Sequence, residues 1–210
     1  MRQQTHWEHV YQKKDAKDVS WFQPYPKVSM ELIHNANLGK REAIIDVGGG
    51  ASTLVDALLD AQYQSVSVLD ISNEGLLQSQ SRLGERAHQV TWLVDDVTTF
   101  EAPERYQLWH DRAVFHFMNT PESREQYMDV LKRSLAPGGH FVLATFAIGG
   151  PDKCSGLPAE QYDEAKIRQV LGEDFVLQSV RHDKHMTPSG GEQKFIYFHF
   201  MYEPVDKLKA

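Results

Sequence analysis

Apolar and polar positions change rhythm near residue 42. Before it, apolar residues recur at helical spacing on either side of the run SWFQPYP. Pro24 and Pro26 bracket Tyr25 and break any helix there. Residues 27–36 then resume a helical pattern through Val28, Met30, Leu32 and Ile33. After residue 42, short apolar runs alternate with helical ones. The pattern predicts strands at 43–47, 65–70, 90–95, 106–111 and 140–146. It predicts helices at 52–61, 73–84 and 122–136, the last stopped by Pro137-Gly138-Gly139. The stretch 96–104 between the third and fourth strands reads as a loop. Residues 173–202 depart from the alternation. Two β-rich runs, DFVLQSVRH and KFIYFHFMY, flank a turn rich in Pro, Gly and Ser.

Strands alternating with helices imply a parallel sheet covered on both faces. The expected fold is therefore α/β: a Rossmann-like, doubly wound, seven-stranded sheet whose five parallel strands are closed by a C-terminal antiparallel hairpin. Residues 1–210 read as one domain, with 1–40 as a helical cover over its site. Hydrophobic residues make up 41% of the 210, and no apolar run approaches the ~18 residues of a membrane span. The start, MRQQTHWEHVYQ, has no apolar core like that of a signal peptide. Cys154 is the only cysteine, so no internal disulfide is possible. A cytoplasmic monomer is expected.

The net charge of −7 and two short basic runs, QKKDAK and KLKA, argue against nucleic acid and membrane as partners. Of the ten histidines, His182 and His185 stand three residues apart and have no third ligand at motif spacing. No metal is expected.

The chemistry is concentrated at the ends of the strands. Residues 44–52 read IIDVGGGAS, an apolar strand ending in Asp46 and then glycines. Gly48, Gly49 and Gly50 let the backbone turn sharply and approach a ligand, and the next helix aims its free N–H groups at it. Ser52 or Thr53 stands where a helix cap belongs. A dinucleotide fingerprint would need Gly or Ala at position 53. Asp46 beside the turn would repel a pyrophosphate but suits the ammonium of an amino-acid tail. Asp70, with Ile71 after it, ends the second strand, where its carboxylate can accept from two ribose hydroxyls. Asp95 and Asp96 end the third. Asp96 can accept from an adenine amino group, with the Val97 N–H on a ring nitrogen. Acids at successive strand tips beside one glycine turn describe a nucleoside pocket.

DVGGGAS resembles the DxGxGxG motif of the class I S-adenosylmethionine-dependent methyltransferases, with Ser52 in place of the last glycine. VLDIS, VDDV and LAPGGHFVLATF resemble its later motifs in order, so the resemblance covers nearly the whole chain. It implies S-adenosyl-L-methionine as cofactor and S-adenosyl-L-homocysteine as product. In the family the glycine turn (Gly48 to Gly50 here) holds the methionine end, the second acid (Asp70) the ribose, and the third (Asp96, with Val97) the adenine. WEHVYQ followed by SWFQ is similar to the N-terminal cover of small-molecule members such as thiopurine methyltransferase. It is also similar to protein-lysine methyltransferases with an early WxxxY motif.

Methyl transfer from a sulfonium is an in-line displacement that mainly needs alignment and exclusion of water. The acceptor pocket draws on three stretches. Trp21, Phe22 and Tyr25 offer aromatic surface to a cation, or pack on the core. His110 and Asp111, expected just beyond the fourth strand, are the candidate catalytic pair. His110 would serve as a base and cofactor contact, and Asp111 would steer the acceptor or take its proton. The alternatives are a helix cap for Asp111 and, for the nearby His116, a buried structural ring. The loop 144–158 carries Cys154, either a reactive thiol or a small buried hydrophobe. Tyr162 and the 185–192 turn are candidates to close the same pocket. These residues point to methyl transfer to a small molecule through O, N or S. A protein-lysine methyltransferase and a nucleoside-binding regulator without turnover are the alternatives.

Overall fold

The computed structural model describes residues 2–205; the basic run at 207–210 lies outside them. Five strands form the parallel sheet: β1 (Ile44–Val47), β2 (Val66–Asp70), β3 (Val90–Val94), β4 (Tyr106–Arg112) and β5 (Leu135–Ala147). Two-residue strands follow at Lys153–Cys154 (β6), Leu157–Pro158 (β7) and Gln161–Tyr162 (β8). The chain returns through β9 (Phe175–Met186) and β10 (Glu192–Tyr202). The order is β3-β2-β1-β4-β5-β10-β9, with β8 pairing in parallel against β5. β10 runs antiparallel to both β5 and β9. The order reverses between β1 and β4, and the carboxyl edge beside that switch is where open α/β sheets bind ligands.

Helices α1 (Arg2–Lys13), α2 (Lys27–Asn35), α3 (Leu54–Asp60), α4 (Asn73–Leu83), α5 (Pro121–Ser134) and α6 (Glu164–Leu171) complete the fold. Alternation along the strands assigns side chains to faces. Ile44 and Leu108 pack in one core, with Leu32 and Ile33 of α2 and Leu54 and Leu58 of α3. Ile45, Val47 and Trp109 pack in the other, with Tyr127, Val130 and Leu131 of α5.

Two boundaries differ from the sequence expectation. Pro137-Gly138-Gly139 does not stop a helix. α5 ends at Ser134 because Leu135 is already extended (φ −86°, ψ 135°), and β5 begins there. The Pro-Gly-Gly run instead forms an irregularity inside β5. The β4 register steps from Tyr106↔Leu135 to Leu108↔His140 across it, and Gly138 takes φ +76°. The C-terminal hairpin is longer than expected. His185 lies in β9, paired with Gln193, so the turn shrinks to 187–191.

Candidate active site

Above the carboxyl ends of β1, β2 and β3 lies a cavity with about 740 Å³ of empty space, its mouth included. Its floor is Val47, Gly48, Leu69, Asp70 and Ile71, and one side is Asp95, Asp96 and Val97. The sequence-predicted residues Gly48, Asp70, Ile71, Asp95, Asp96, Val97, Trp21 and Cys154 thus all meet in one place.

The glycine turn is tight for identifiable reasons. Gly48 has φ +67°, and a β-carbon there would stand 2.0 Å from Val114 Cγ2. A β-carbon on Gly49 would come within 2.7 Å of Asp46 Oδ2, and one on Gly50 (φ +22°) within 2.7 Å of Asp70 Oδ2. Thr53 holds the N-cap position of α3 without a side-chain cap bond; Ser52 Oγ accepts the Leu54 N–H at 3.1 Å and lies off the cavity wall. Thr53 Oγ1 instead donates to Gln23 O at 2.9 Å, tying the N-terminal segment down.

Asp70 is 6% exposed. Burial pushes its carboxyl up to about 7, against the pull of the Ser72 and Gly50 N–H groups and with added push from Asp46 and Glu8. Asp96 accepts from the Thr98 N–H and Oγ1–H through one oxygen, Oδ1.

The catalytic expectations require correction. His110 and Asp111 lie within β4, which runs on to Arg112. Being consecutive in a strand, they face opposite sides of the sheet, and neither lines the cavity. His110 is 2% exposed and held by both nitrogens: Nδ1 is 2.7 Å from Asp46 Oδ1 and Nε2 is 2.9 Å from Ser29 Oγ on α2. A ring saturated in this way has no nitrogen left for an acceptor's proton.

Asp111 is fully buried on the α5 side. Its carboxylate accepts from the Val114 N–H (2.9 Å), the Phe115 N–H (3.0 Å) and the Tyr127 hydroxyl (2.6 Å). Burial pushes it up to about 6 despite those bonds. Its observable role is to fix the turn that presents Val114 to Gly48. Ala113 in that turn has φ +75°, a conformation β-carbon residues rarely adopt, and it lines the cavity.

The aromatic cover also differs. Tyr25 is 56% exposed, because the prolines around it turn it outward. Phe22 does not line the cavity, whereas Trp21 does. The rest of the roof comes from Trp7 and Tyr11, one turn apart on α1, and from Gln3. The signal was the WxxxY spacing of WEHVY. Trp7 meets Trp21 at 5.7 Å and Phe117 at 5.5 Å, edge to face. Tyr11 is buried directly over the turn: β-carbons on Gly50 and Gly75 would fall 2.6 Å from its hydroxyl and 2.9 Å from its ring.

α1 is fastened by Glu8, whose carboxylate accepts from the Ser72 hydroxyl and the Asn73 and Glu74 N–H groups at the start of α4. Cys154 faces the cavity with its thiol pushed up to about 11 by burial, so it is protonated at neutral pH. Tyr162 belongs to the core under α5 and α6, and His185 contacts Ser20 O at 2.8 Å, away from the cavity wall. Among the described residues no group of three or more His, Cys, Asp or Glu is placed to hold a metal ion.

Comparison with known proteins gives this geometry a context. Residues 44–139 match the family described as "Methyltransferase domain". The eEF1A lysine and N-terminal methyltransferase of Bos taurus is 28% identical over 153 residues, which cover 72% of this chain. The match takes in 21% of that protein, so the chain spans about a fifth of this curated relative.

Two solved structures share the fold. The N-methyltransferase NodS from Bradyrhizobium japonicum, in complex with S-adenosyl-L-homocysteine, superposes with a TM-score of 0.71 at 16% identity, over 94% of this chain and 98% of that one. The 1,6-didemethyltoxoflavin-N1-methyltransferase from Burkholderia thailandensis superposes with a TM-score of 0.68 at 17% identity, over 97% and 85%.

The residues present fit S-adenosylmethionine. Its ammonium, ribose diol and adenine amine are donors, and the strand tips supply acceptors. Asp46 Oδ2 is buried beneath the turn with no hydrogen-bond partner. Without β-carbons, Gly49 and Gly50 bring the backbone of the turn against the Asp46 and Asp70 carboxylates. Over residues 44–139 the chain is similar to the methyltransferase-domain family, and its fold is that of solved N-methyltransferases bound to S-adenosyl-L-homocysteine.

Proposed function

We propose that this chain transfers the methyl group of S-adenosylmethionine to a small-molecule acceptor at O, N or S. One observation carries the reading: the cavity floored by Gly48 and Asp70 is roofed by Trp7, Tyr11 and Trp21 of the chain's own N-terminal segment. Under such a roof, beside Phe117, Met118 and Cys154, a compact apolar acceptor finds a dry, shaped space.

The cofactor supplies an activated methyl group. The chain's residues hold and orient it: Asp46 and the glycine turn at the amino-acid end, Asp70 at the ribose, and Asp95, Asp96 and Val97 around the adenine. The aromatic rings of Trp7 and Trp21 favour a cation near their faces and exclude water. With both nitrogens of His110 engaged and Asp111 facing α5, neither side chain serves as a base here. The acceptor therefore arrives as a competent nucleophile or gives its proton to solvent. Catalysis rests on alignment.

A protein-lysine acceptor is the second reading, supported by the 28% identity to the eEF1A methyltransferase. Incubating the protein with methyl-labelled S-adenosylmethionine and cell extract separates the two. Label in small molecules supports the first, and label in a protein band supports the second. No label at all, with S-adenosylhomocysteine still bound, would leave a nucleoside-binding protein without turnover.

A further inference from the structure

Arg112 ends β4 on the face that carries Asp46 and His110. Its guanidinium is fixed on three sides. Nε–H donates to Tyr197 Oη at 3.0 Å, Nη1–H donates to Trp21 O at 2.9 Å, and the group lies 4.5 Å from the centre of the Phe195 ring. The fourth part, Nη2, is shut off from solvent and has no hydrogen-bond partner among the described residues. No carboxylate among them forms an ion pair with Arg112. Arg112 keeps part of its surface in solvent, but a guanidinium N–H shut off without a partner costs free energy. An orphaned buried donor calls for a partner that arrives from outside.

No carboxylate pairs with the guanidinium, although Asp46 stands on the same face beside His110 and Asp183 lies across from Phe195 on β9. Cys154, His116 and His185 all feel the guanidinium, which draws the thiol's proton affinity down and favours neutral imidazoles. His116 is fully buried, with neither ring nitrogen hydrogen-bonded, between Phe117 and Phe146. Yet the cavity is next door. Trp21, which Arg112 holds, Cys154, which it influences, and Ala113, which follows it in the chain, all line the wall. The cavity's acids stand at the tips of β2 and β3, across β1 from this point. The carboxylates that line the cavity thus lie over β2 and β3, and a guanidinium with no paired carboxylate stands at the end of β4.

We propose that Arg112 is the anion anchor of the acceptor subsite, so that the methyl acceptor is a small aromatic carboxylate whose charged end docks on Nη2 at the Cys154 side of the cavity. This rests on the methyltransferase reading above and narrows its substrate class. The planar guanidinium matches a carboxylate better than any other common anion-binding side chain. The same cation disfavours a lysine ammonium. The wall that must yield is the β6–β7 hairpin carrying Cys154, which turns through Ser155 (φ +49°) and Gly156 (φ +80°) with open space around Gly156.

The test is calorimetric. Protein is first titrated with S-adenosylhomocysteine. The loaded protein is then titrated with benzoate, 2-naphthoate and indole-3-acetate, and with the three matching primary amides. At least one carboxylate is expected to bind about 10–100-fold tighter than its amide, the range of a charged hydrogen bond. Arg112→Lys should shrink that preference and Arg112→Gln should abolish it. The wild-type ratio stands as a test even where Arg112→Gln does not fold. Equal binding in every pair overturns the proposal, as does a preference that survives in folded Arg112→Gln. Failure to bind S-adenosylhomocysteine would refute the methyltransferase reading itself. Binding it without any carboxylate preference refutes the anion anchor alone.

Discussion

Replacing Tyr127 by Phe removes one oxygen from the centre of a buried relay. The Trp109 indole N–H donates to that oxygen at 3.0 Å, and its own hydrogen goes to Asp111 Oδ2 at 2.6 Å. All three side chains are fully buried, so water does not fill in. The indole N–H is left unpartnered, at about 1–3 kcal/mol, and Asp111 loses a charge-assisted bond of about 1.5–3 kcal/mol. The sum is roughly 2.5–6 kcal/mol, and at about 2–4 °C per kcal/mol the melting temperature should fall on the order of 10 °C.

Asp111 keeps its backbone donors, so the turn bearing Val114 persists. Affinity for S-adenosylhomocysteine, measured well below the melting point, should change only a few-fold. The deficit should also depend on pH. Asp111's folded pKa, about 6, lies above its unfolded value. The folded state therefore holds that proton more tightly, and the group's contribution is greatest in acid and declines as pH rises through 6. Losing the Tyr127 hydroxyl moves the pKa further up, so the deficit should be larger at pH 7 than at pH 4.5. Urea titrations at the two pH values, with the slope compared to wild type, measure this. Stability within 0.5 kcal/mol of wild type (roughly the level of a neutral surface change) would refute the relay. A hundredfold loss of turnover (about 2.7 kcal/mol in barrier) at unchanged stability would restore Asp111 to the chemistry.

Gly48→Ala places a β-carbon at φ +67° and 2.0 Å from Val114 Cγ2. Backbone strain of about 1–2 kcal/mol and overpacking of about 1–3 kcal/mol should appear as a lower melting temperature and lost cofactor affinity. Asp70 titrates near 7, and the ribose diol needs an ionised acceptor. S-adenosylhomocysteine affinity should therefore fall as pH drops below 7, by up to about tenfold per unit, and level off above it. In Asp70→Asn that dependence should flatten. Glu8→Ala removes the acceptor for three donors at the start of α4, so α1 should become susceptible to limited proteolysis while the sheet stays protected. Cys154, its thiol near 11, should react with iodoacetamide at pH 7 far more slowly than a free thiol, as a mass-spectrometric time course would report.

The sheet and its carboxyl edge were legible because they depend on local rules. Short apolar runs, a glycine turn after β1 and acids at strand tips all survive in a single sequence. What failed depended on where a strand stops and which way it faces. β4 runs one residue further than its apolar pattern. That residue, Arg112, puts His110 and Asp111 inside the strand rather than at its tip. Pro137 and its glycines look like a helix stop by composition. Leu135, already extended, had ended the helix, and the punctuation went to a bulge against β4.

The cover was half read. SWFQPYP drew attention to Tyr25, which its prolines turn to solvent, whereas the roof comes from Trp7 and Tyr11. Their one-turn spacing was visible in WEHVY, but their target was not. Gly75 shows no signal in the sequence beyond a helix glycine, although Tyr11 fits there only because that glycine has no side chain. Such fits are tertiary, and no local pattern encodes them.

The proposed seat of an S-adenosyl nucleoside is the carboxyl edge of β1 to β3. Calorimetric titration of the full chain with S-adenosylhomocysteine at pH 8 tests it most directly. One site per chain is expected, with Asp70→Ala weaker by about a hundredfold through loss of its charged hydrogen bonds to the ribose. No heat of binding in folded wild-type protein, or equal affinity in folded Asp70→Ala, would contradict it.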